Sequence, residues 1–213
     1  MGSEEISLVR KPVQPNETYA FDCTLCGECC RGDIRISLNL HDLWKMAKYL
    51  NLPTTGELFE QDWVGEQRLD RGGFRPYIRF KEKPMRFCPF LENRLEDDGE
   101  LLGYCRLHPD RKPLVCSLAP LGRELELPNL ETWFFTEPIE GCPGCDASKC
   151  CTPSQTIEPL REELELERLY FLVMETMQHT YALHSDYQRL HRCLRIEESV
   201  EVYIQRWMGE LDA

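Results

Sequence analysis

The feature that most constrains this chain is the run Cys23-Thr-Leu-Cys26-Gly-Glu-Cys29-Cys30, which puts four thiols within eight residues. Cysteines two residues apart can turn their sulfurs to one side of a tight turn, the arrangement that thiolate metal sites use. Adjacent cysteines, by contrast, close a disulfide with each other only under strain. Two such adjacent pairs occur, Cys29-Cys30 and Cys150-Cys151. The chain has 213 residues and 12 cysteines. It is long enough to bury a hydrophobic core without cross-links, so the thiols are read as ligands rather than as a disulfide framework.

The context agrees with thiols kept reduced. The stretch Met1 to Pro15 is polar and interrupted by two prolines, and lacks the apolar core of a secretion signal. No segment approaches the roughly 18 apolar residues of a membrane span. A cytoplasmic protein with no membrane association is expected. The formal charge is −12 and the pI is near 5.0. A surface this acidic repels phosphate backbones, which argues against nucleic acid and anionic membranes as partners.

Two further constellations follow. Cys88-Pro-Phe-Leu, Cys105-x2-His108 and Cys116 are individually weak, because a single cysteine is usually a small core residue; together with the first run they become ligand candidates. Gly141-Cys142-Pro-Gly-Cys145 reads as a knuckle turn and is followed by Cys150-Cys151. The expected main ligands are Cys23, Cys26, Cys29, Cys30, Cys88, Cys105 and Cys116, with Cys142 and Cys145 next. His108 reads as a surface histidine beside Pro109, and Cys193 as a core residue. Three thiols at i, i+3 and i+6 suit a cubane (4Fe-4S) iron–sulfur cluster. Zinc is the alternative, and both are soft enough for thiolate donors. Eleven cysteines between Cys23 and Cys151 leave room for two four-thiolate centres. Gly27 suits a chain that must pass close to a cluster.

Hydrophobic periodicity predicts the scaffold. Leu40, Leu43, Trp44, Ala47 and Leu50 recur at helical spacing, with Ser37 or Asn39 as N-cap and Leu52-Pro53 as the end. A second short helix is expected from Thr54 or Thr55 to Val64, a turn at Arg71-Gly72-Gly73, and a strand from Arg75 to Phe80. Leu91 to Tyr104 reads as a hairpin around Asp97-Asp98-Gly99. Past Ile157 helix formers dominate. Leu166, Leu169, Tyr170, Val173, Met177 and Tyr181 form one apolar stripe. Leu190, Cys193, Leu194, Val200, Ile204, Trp207, Met208 and Leu211 form another, with His184-Ser185-Asp186 as the connecting turn. The expected fold is α+β: a flexible lead over residues 1–20, a small irregular metal-organised cysteine-rich domain over 21–157, and a C-terminal helical hairpin over 158–213.

The motifs carry a family likeness. Phe21 to Cys30, the helix at Leu40 to Leu43, Phe87-Cys88-Pro-Phe-Leu91, and Cys105 through Lys112-Pro113, Cys116 and Pro120 resemble the YkgJ-type cysteine-cluster (CxxCxxCC) family of zinc- or iron-chelating domains. Ser117 stands where that family commonly has arginine, and the C-terminal helices lie outside the likeness. The resemblance implies metal or cluster binding. Similar domains occur in flagellin lysine methylases, which combine an iron–sulfur centre with S-adenosylmethionine, so it also implies a conceivable enzyme role.

Three function classes result. The first is a redox or cluster-dependent accessory protein. The second is a zinc-stabilised module that docks a protein partner through its apolar stripes. The third is a cluster-dependent protein-modifying enzyme such as a methylase.

Overall fold

The computed structural model describes residues 11–31, 34–70, 72–83, 85–127 and 130–211. Within the expected lead, residues 1–10 lie outside these. Residues Lys11–Pro12 (β1) and Tyr19–Ala20 (β2) instead form short strands. A 3-10 turn follows at Glu28–Cys30.

The first helix, α1, spans Leu40–Tyr49, and Asn39 rather than Ser37 caps it. The Asn39 side chain accepts from Asp42 N–H at 2.8 Å, and the Asp42 carboxylate accepts from Asn39 N–H at 3.1 Å. This reciprocal box satisfies two otherwise unpaired donors at the helix start. The short α2 (Gly56–Glu60) ends before Val64, which was expected to be helical. Val64 instead opens β3 (Val64–Arg68), paired antiparallel with β4 (Phe74–Ile78). Its β-branched side chain is buried against the core, and the turn returns through Gly72 and Gly73, both at positive φ. The expected hairpin forms as β5 (Leu91–Leu95) and β6 (Leu101–Cys105).

After α3 (Leu114–Leu118) comes a hairpin that periodicity did not reveal, β7 (Leu121–Glu126) with β8 (Leu130–Phe135). Leu125 and Glu126 belong to a charge-rich text, and Leu121 and Phe134 are buried on opposite faces of the ribbon, so its alternation is faint. β1 extends it to a three-stranded sheet in the order β1-β8-β7. β9 (Cys150–Cys151) pairs with β2. α4 (Pro153–Ile157) leads into α5 (Arg161–His179), α6 (His184–Arg192) and α7 (Val200–Leu211).

The C-terminal region is therefore three helices, not a two-helix hairpin. His184-Ser185-Asp186 is the first turn of α6, where Asp186 accepts from Leu183 N–H at 2.8 Å. Tyr181, placed on the first stripe, lies past the end of α5 with φ 54° and is 89% exposed. Cys193, expected in the core, is exposed. The remaining stripe residues pack inward. One buried cluster joins Leu38, Leu40, Leu43 and Met46 to Phe90 and Leu107, and to Tyr170, Val173, Met177, Leu190, Ile204 and Trp207. The helices of residues 161–211 thus complete the same core as the cysteine-bearing segments. Among the described residues no helix is long and apolar enough to cross a membrane.

A buried polar network locks the helices to the β3–β4 hairpin. Glu66 accepts from Arg192 at 2.9 Å and lies 3.1 Å from His191 Nδ1; the other ring nitrogen of His191 meets the Tyr170 hydroxyl at 3.0 Å. Burial pulls the Glu66 carboxyl up, but its bonds to His191 and Arg192 outweigh this and hold its pKa at about 2. A depressed carboxylate stabilises the fold fully above its ordinary 4.5, and the contribution is lost as pH falls towards about 2. Glu66→Gln should cost about 1–3 kcal/mol near neutrality, because it leaves buried donors poorly paired. In urea titrations at stepped pH, the gap between wild type and variant should narrow across that acid window.

Candidate metal centre

Five of the predicted ligands come together. Cys29 and Cys30 sit on the 3-10 turn, Cys88 in the loop before β5, Cys105 at the end of β6 and Cys116 in α3. Each attachment has a backbone reason. Cys88 N–H donates to the Cys30 carbonyl at 2.7 Å, which fixes the two loops side by side. Cys105 lies opposite Leu91 in the β5–β6 ladder, and Leu91 N–H donates to the Cys88 carbonyl at 3.1 Å. The first run is laid over β6 by a close crossing. A Cβ on Gly103 would fall 2.7 Å from the Gly27 Cα, and Gly27 has φ 73°. Gly27 is thus required by another stretch of backbone, where the sequence had suggested proximity to a cluster.

Cys116 is placed by α1. The Asp42 carboxylate, already part of the α1 cap, accepts from Leu114 N–H at 2.8 Å. Lys45, one turn on, donates to the Lys112 carbonyl at 2.8 Å and pairs with Glu163 of α5. The buried first turn of α1 therefore holds both sides of Pro113, the residue just before α3.

The electrostatics mark the five thiols as one group. Burial pushes Cys116 well above the ordinary thiol range, and Cys88, Cys105 and Cys29 add to the shift. Burial likewise raises Cys88 to about 12, with Cys105 and Cys29 contributing. Burial raises Cys105 too, while the Lys112 charge opposes the rise. Cys30 is raised, first by its hydrogen bond to Cys29 and then by burial. The same bond lowers Cys29 to about 7, against burial and with help from Lys112. One thiol is thus poised to ionise at the open side of the group, and the others stay protonated unless a cation compensates them.

The other predicted ligands lie elsewhere. Cys23 is exposed and Cys26 half-buried, upstream of the glycine crossing. Cys142 and Cys145 form a separate knuckle in which Cys145 N–H donates to the Cys142 carbonyl at 3.0 Å. Among the described residues no group of three or more Cys, His, Asp or Glu side chains is placed so that it could hold a metal ion. By residue type the five sulfurs suit a soft, thiophilic group, with Lys112 favouring thiolate at Cys29 and Cys105 and the Asp42 carboxylate opposing it at Cys116. Cys29, Cys30, Cys88, Cys105 and Cys116 are the residues that would hold it.

A cleft of about 450 Å³ opens beside the group. Cys105 is in its wall with Leu25, Tyr49, Tyr104, Arg94, Arg106, Glu92 and His108. Composition and periodicity gave no sign of it, because its walls come from α1, the β5–β6 hairpin and the segments around Leu25 and His108, which are distant in sequence. Arg94 stacks on Tyr104 at 4.7 Å and bonds to Glu92 at 3.1 Å. His108 lines the cleft rather than the thiol group, and burial followed by the Lys112 charge lowers its pKa.

In metal-free reduced protein at pH 7, iodoacetamide should alkylate Cys29 at least about ten-fold faster than Cys88, Cys105 or Cys116, since only the thiolate reacts. Peptide mass spectrometry over time would read this, and equal rates would contradict the arrangement.

Comparison of the chain with protein-family models, with curated proteins and with solved structures returns no match.

Proposed function

We propose that this chain is a metal-binding protein that carries an iron–sulfur cluster on thiols drawn from Cys29, Cys30, Cys88, Cys105 and Cys116, and acts as a redox or cluster-dependent accessory protein. The observation that carries this reading is that five thiols from four separate chain segments lie close enough to act on one another, with the Cys30 and Cys88 loops joined at 2.7 Å and the thiols ranging from exposed Cys29 to buried Cys88. Free thiols used only as core filler have no reason to gather, since each is then a small hydrophobe with ordinary neighbours. Gathered thiols raise one another's pKa, and a bound cationic centre relieves that cost and releases their protons. When bound, the cluster would supply one-electron chemistry; the chain's part is to fix the donors and shield them. The likeness to zinc- or iron-chelating cysteine-cluster domains points the same way. The acidic surface supports a role away from nucleic acid, and reduced thiols support a cytoplasmic setting.

The cleft favours a second reading, a cluster-dependent enzyme. It is large enough for a small molecule and is walled by a ligand candidate, two tyrosines and two arginines. The docking-module reading has less support, because most of the apolar stripe residues that suggested it are packed in the core.

Anaerobic purification followed by iron, sulfide and zinc assays tests the proposal. Iron and sulfide in equal amounts, with visible thiolate-to-iron absorption, are expected. Cys88→Ser and Cys116→Ser should each lower metal content and the unfolding midpoint, because binding and folding are coupled. A colourless protein with stoichiometric zinc would replace the cluster by the zinc alternative, and full occupancy in both variants would remove this group of thiols as the site.

A further inference from the structure

The cysteines left out of the five-thiol group are not scattered. The knuckle Cys142-Pro143-Gly144-Cys145 is a 3-10 turn with Pro143 in its first position. The two free thiols hydrogen-bond to each other, and Glu137 and Asp146 lie close enough to act on Cys145. Against this turn lies the segment that leads into the first cysteine run. Asp22 N–H donates to the Gly144 carbonyl at 2.9 Å. A Cβ on Gly144 would fall 2.5 Å from the Asp22 carbonyl oxygen and 3.2 Å from the Phe21 ring, so only glycine permits the approach. Cys23 is the next residue along.

The other side of the same segment is held by β9. Tyr19 pairs with Cys151 and Ala20 with Cys150, and Phe21 N–H donates to the Lys149 carbonyl at 3.1 Å. Successive strand residues face opposite ways, so Cys150 and Cys151 cannot both join one centre without distortion. Cys151 is the half-buried one, with its sulfur 3.8 Å from the Phe21 carbonyl; Cys150 is exposed and turns towards the Ser148 carbonyl. Residues 19–23 are therefore clasped between a two-cysteine knuckle and a cysteine-bearing strand.

We infer that the chain builds a second thiolate centre from Cys23, Cys142, Cys145 and Cys151, separate from the five-thiol group, and that it takes a tetrahedral dication of the zinc class as a structural clip. Four soft donors that include a Cys-x2-Cys knuckle match a closed structural zinc site. The neighbouring carboxylates of Glu137 and Asp146 add favourable charge. The clip holds the strand that feeds the Cys23–Cys30 run, and so splits that run: its beginning serves the clip, and its end serves the group around Cys116. The inference extends the thiophilic reading above to a second place and does not depend on the first centre being iron–sulfur.

Zinc binding to reduced, metal-free full-length chain, followed by desalting and elemental analysis, is the test. A parallel titration with cobalt, read by its thiolate charge-transfer bands, reports the donor type. The paired change Cys142→Ser with Cys145→Ser should remove one metal equivalent and leave the rest. Cys88→Ser with Cys116→Ser should remove the other population and spare this one. Cys150→Ser should bind like wild type, while Cys151→Ser should weaken zinc at least ten-fold. Hydrogen exchange gives a readout independent of stoichiometry. The Phe21 and Asp22 amides should lose protection when zinc is withdrawn from wild type, and circular dichroism confirms that each variant remains helical. Unchanged metal content in the Cys142/Cys145 variant overturns the inference while leaving the first centre standing. Loss of all metal only in the Cys88/Cys116 variant does the same. Loss in Cys150→Ser but not in Cys151→Ser overturns the ligand set.

Discussion

A single buried carboxylate ties the scaffold to the chemistry. Asp42 closes the cap of α1 and, with its other oxygen, accepts the first N–H of α3. Burial raises its pKa to about 7, with the Lys45 charge and two backbone donors opposing the rise. A group held this way is expensive to bury unless every partner stays in place. The arrangement therefore transmits the rigidity of the helical core, where Leu40, Leu43 and Met46 are fully buried, to the short turn that carries Cys116. Arg123, which bonds to Glu131 at 2.6 Å and pairs with Glu167 of α5, does the corresponding work for the β7–β8 ribbon.

The consequence is a division between rigid and compliant parts. Cys116 is backed by packed helices, and Cys105 by a hairpin ladder. Cys29, Cys30 and Cys88 rest on loops joined by a few backbone bonds. The thiol group is thus backed firmly on its Cys105 and Cys116 side and more loosely at Cys29, Cys30 and Cys88. The polar cleft lies against the Cys105 side, so anything entering it meets the fixed wall of the site.

The sequence made α1 and the β5–β6 hairpin legible, because a 3.6-residue stripe and an Asp-Asp-Gly turn are local signals, while the choice of Asn39 over Ser37 as the cap needed the structure. It also made the thiol candidates legible, since residue type is all that this requires. The β3 strand was misread because Leu58, Phe59, Trp63 and Val64 form an apolar series compatible with either period. The third C-terminal helix was missed because α6, rich in polar residues, begins with His184-Ser185-Asp186, which looks like a loop until Asp186 is seen as a cap. The partition of the cysteines was illegible for a different reason. It depends on where the backbone crosses itself, at Gly27 with Gly103 and at Gly144 with Asp22, and no spacing rule reports a crossing between residues so far apart.

That crossing geometry bears on how the molecule comes into being. During synthesis the thiols of Cys23 to Cys30 emerge long before their partners, since Cys116 lies in α3 and the pairing of β2 with β9 waits for residues 150–151. Local helices and hairpins form quickly, whereas contacts this distant along the chain come late. For much of its birth the nascent chain therefore displays an unguarded group of thiols. Completing the fold requires those thiols to stay reduced until most of the polypeptide has left the ribosome.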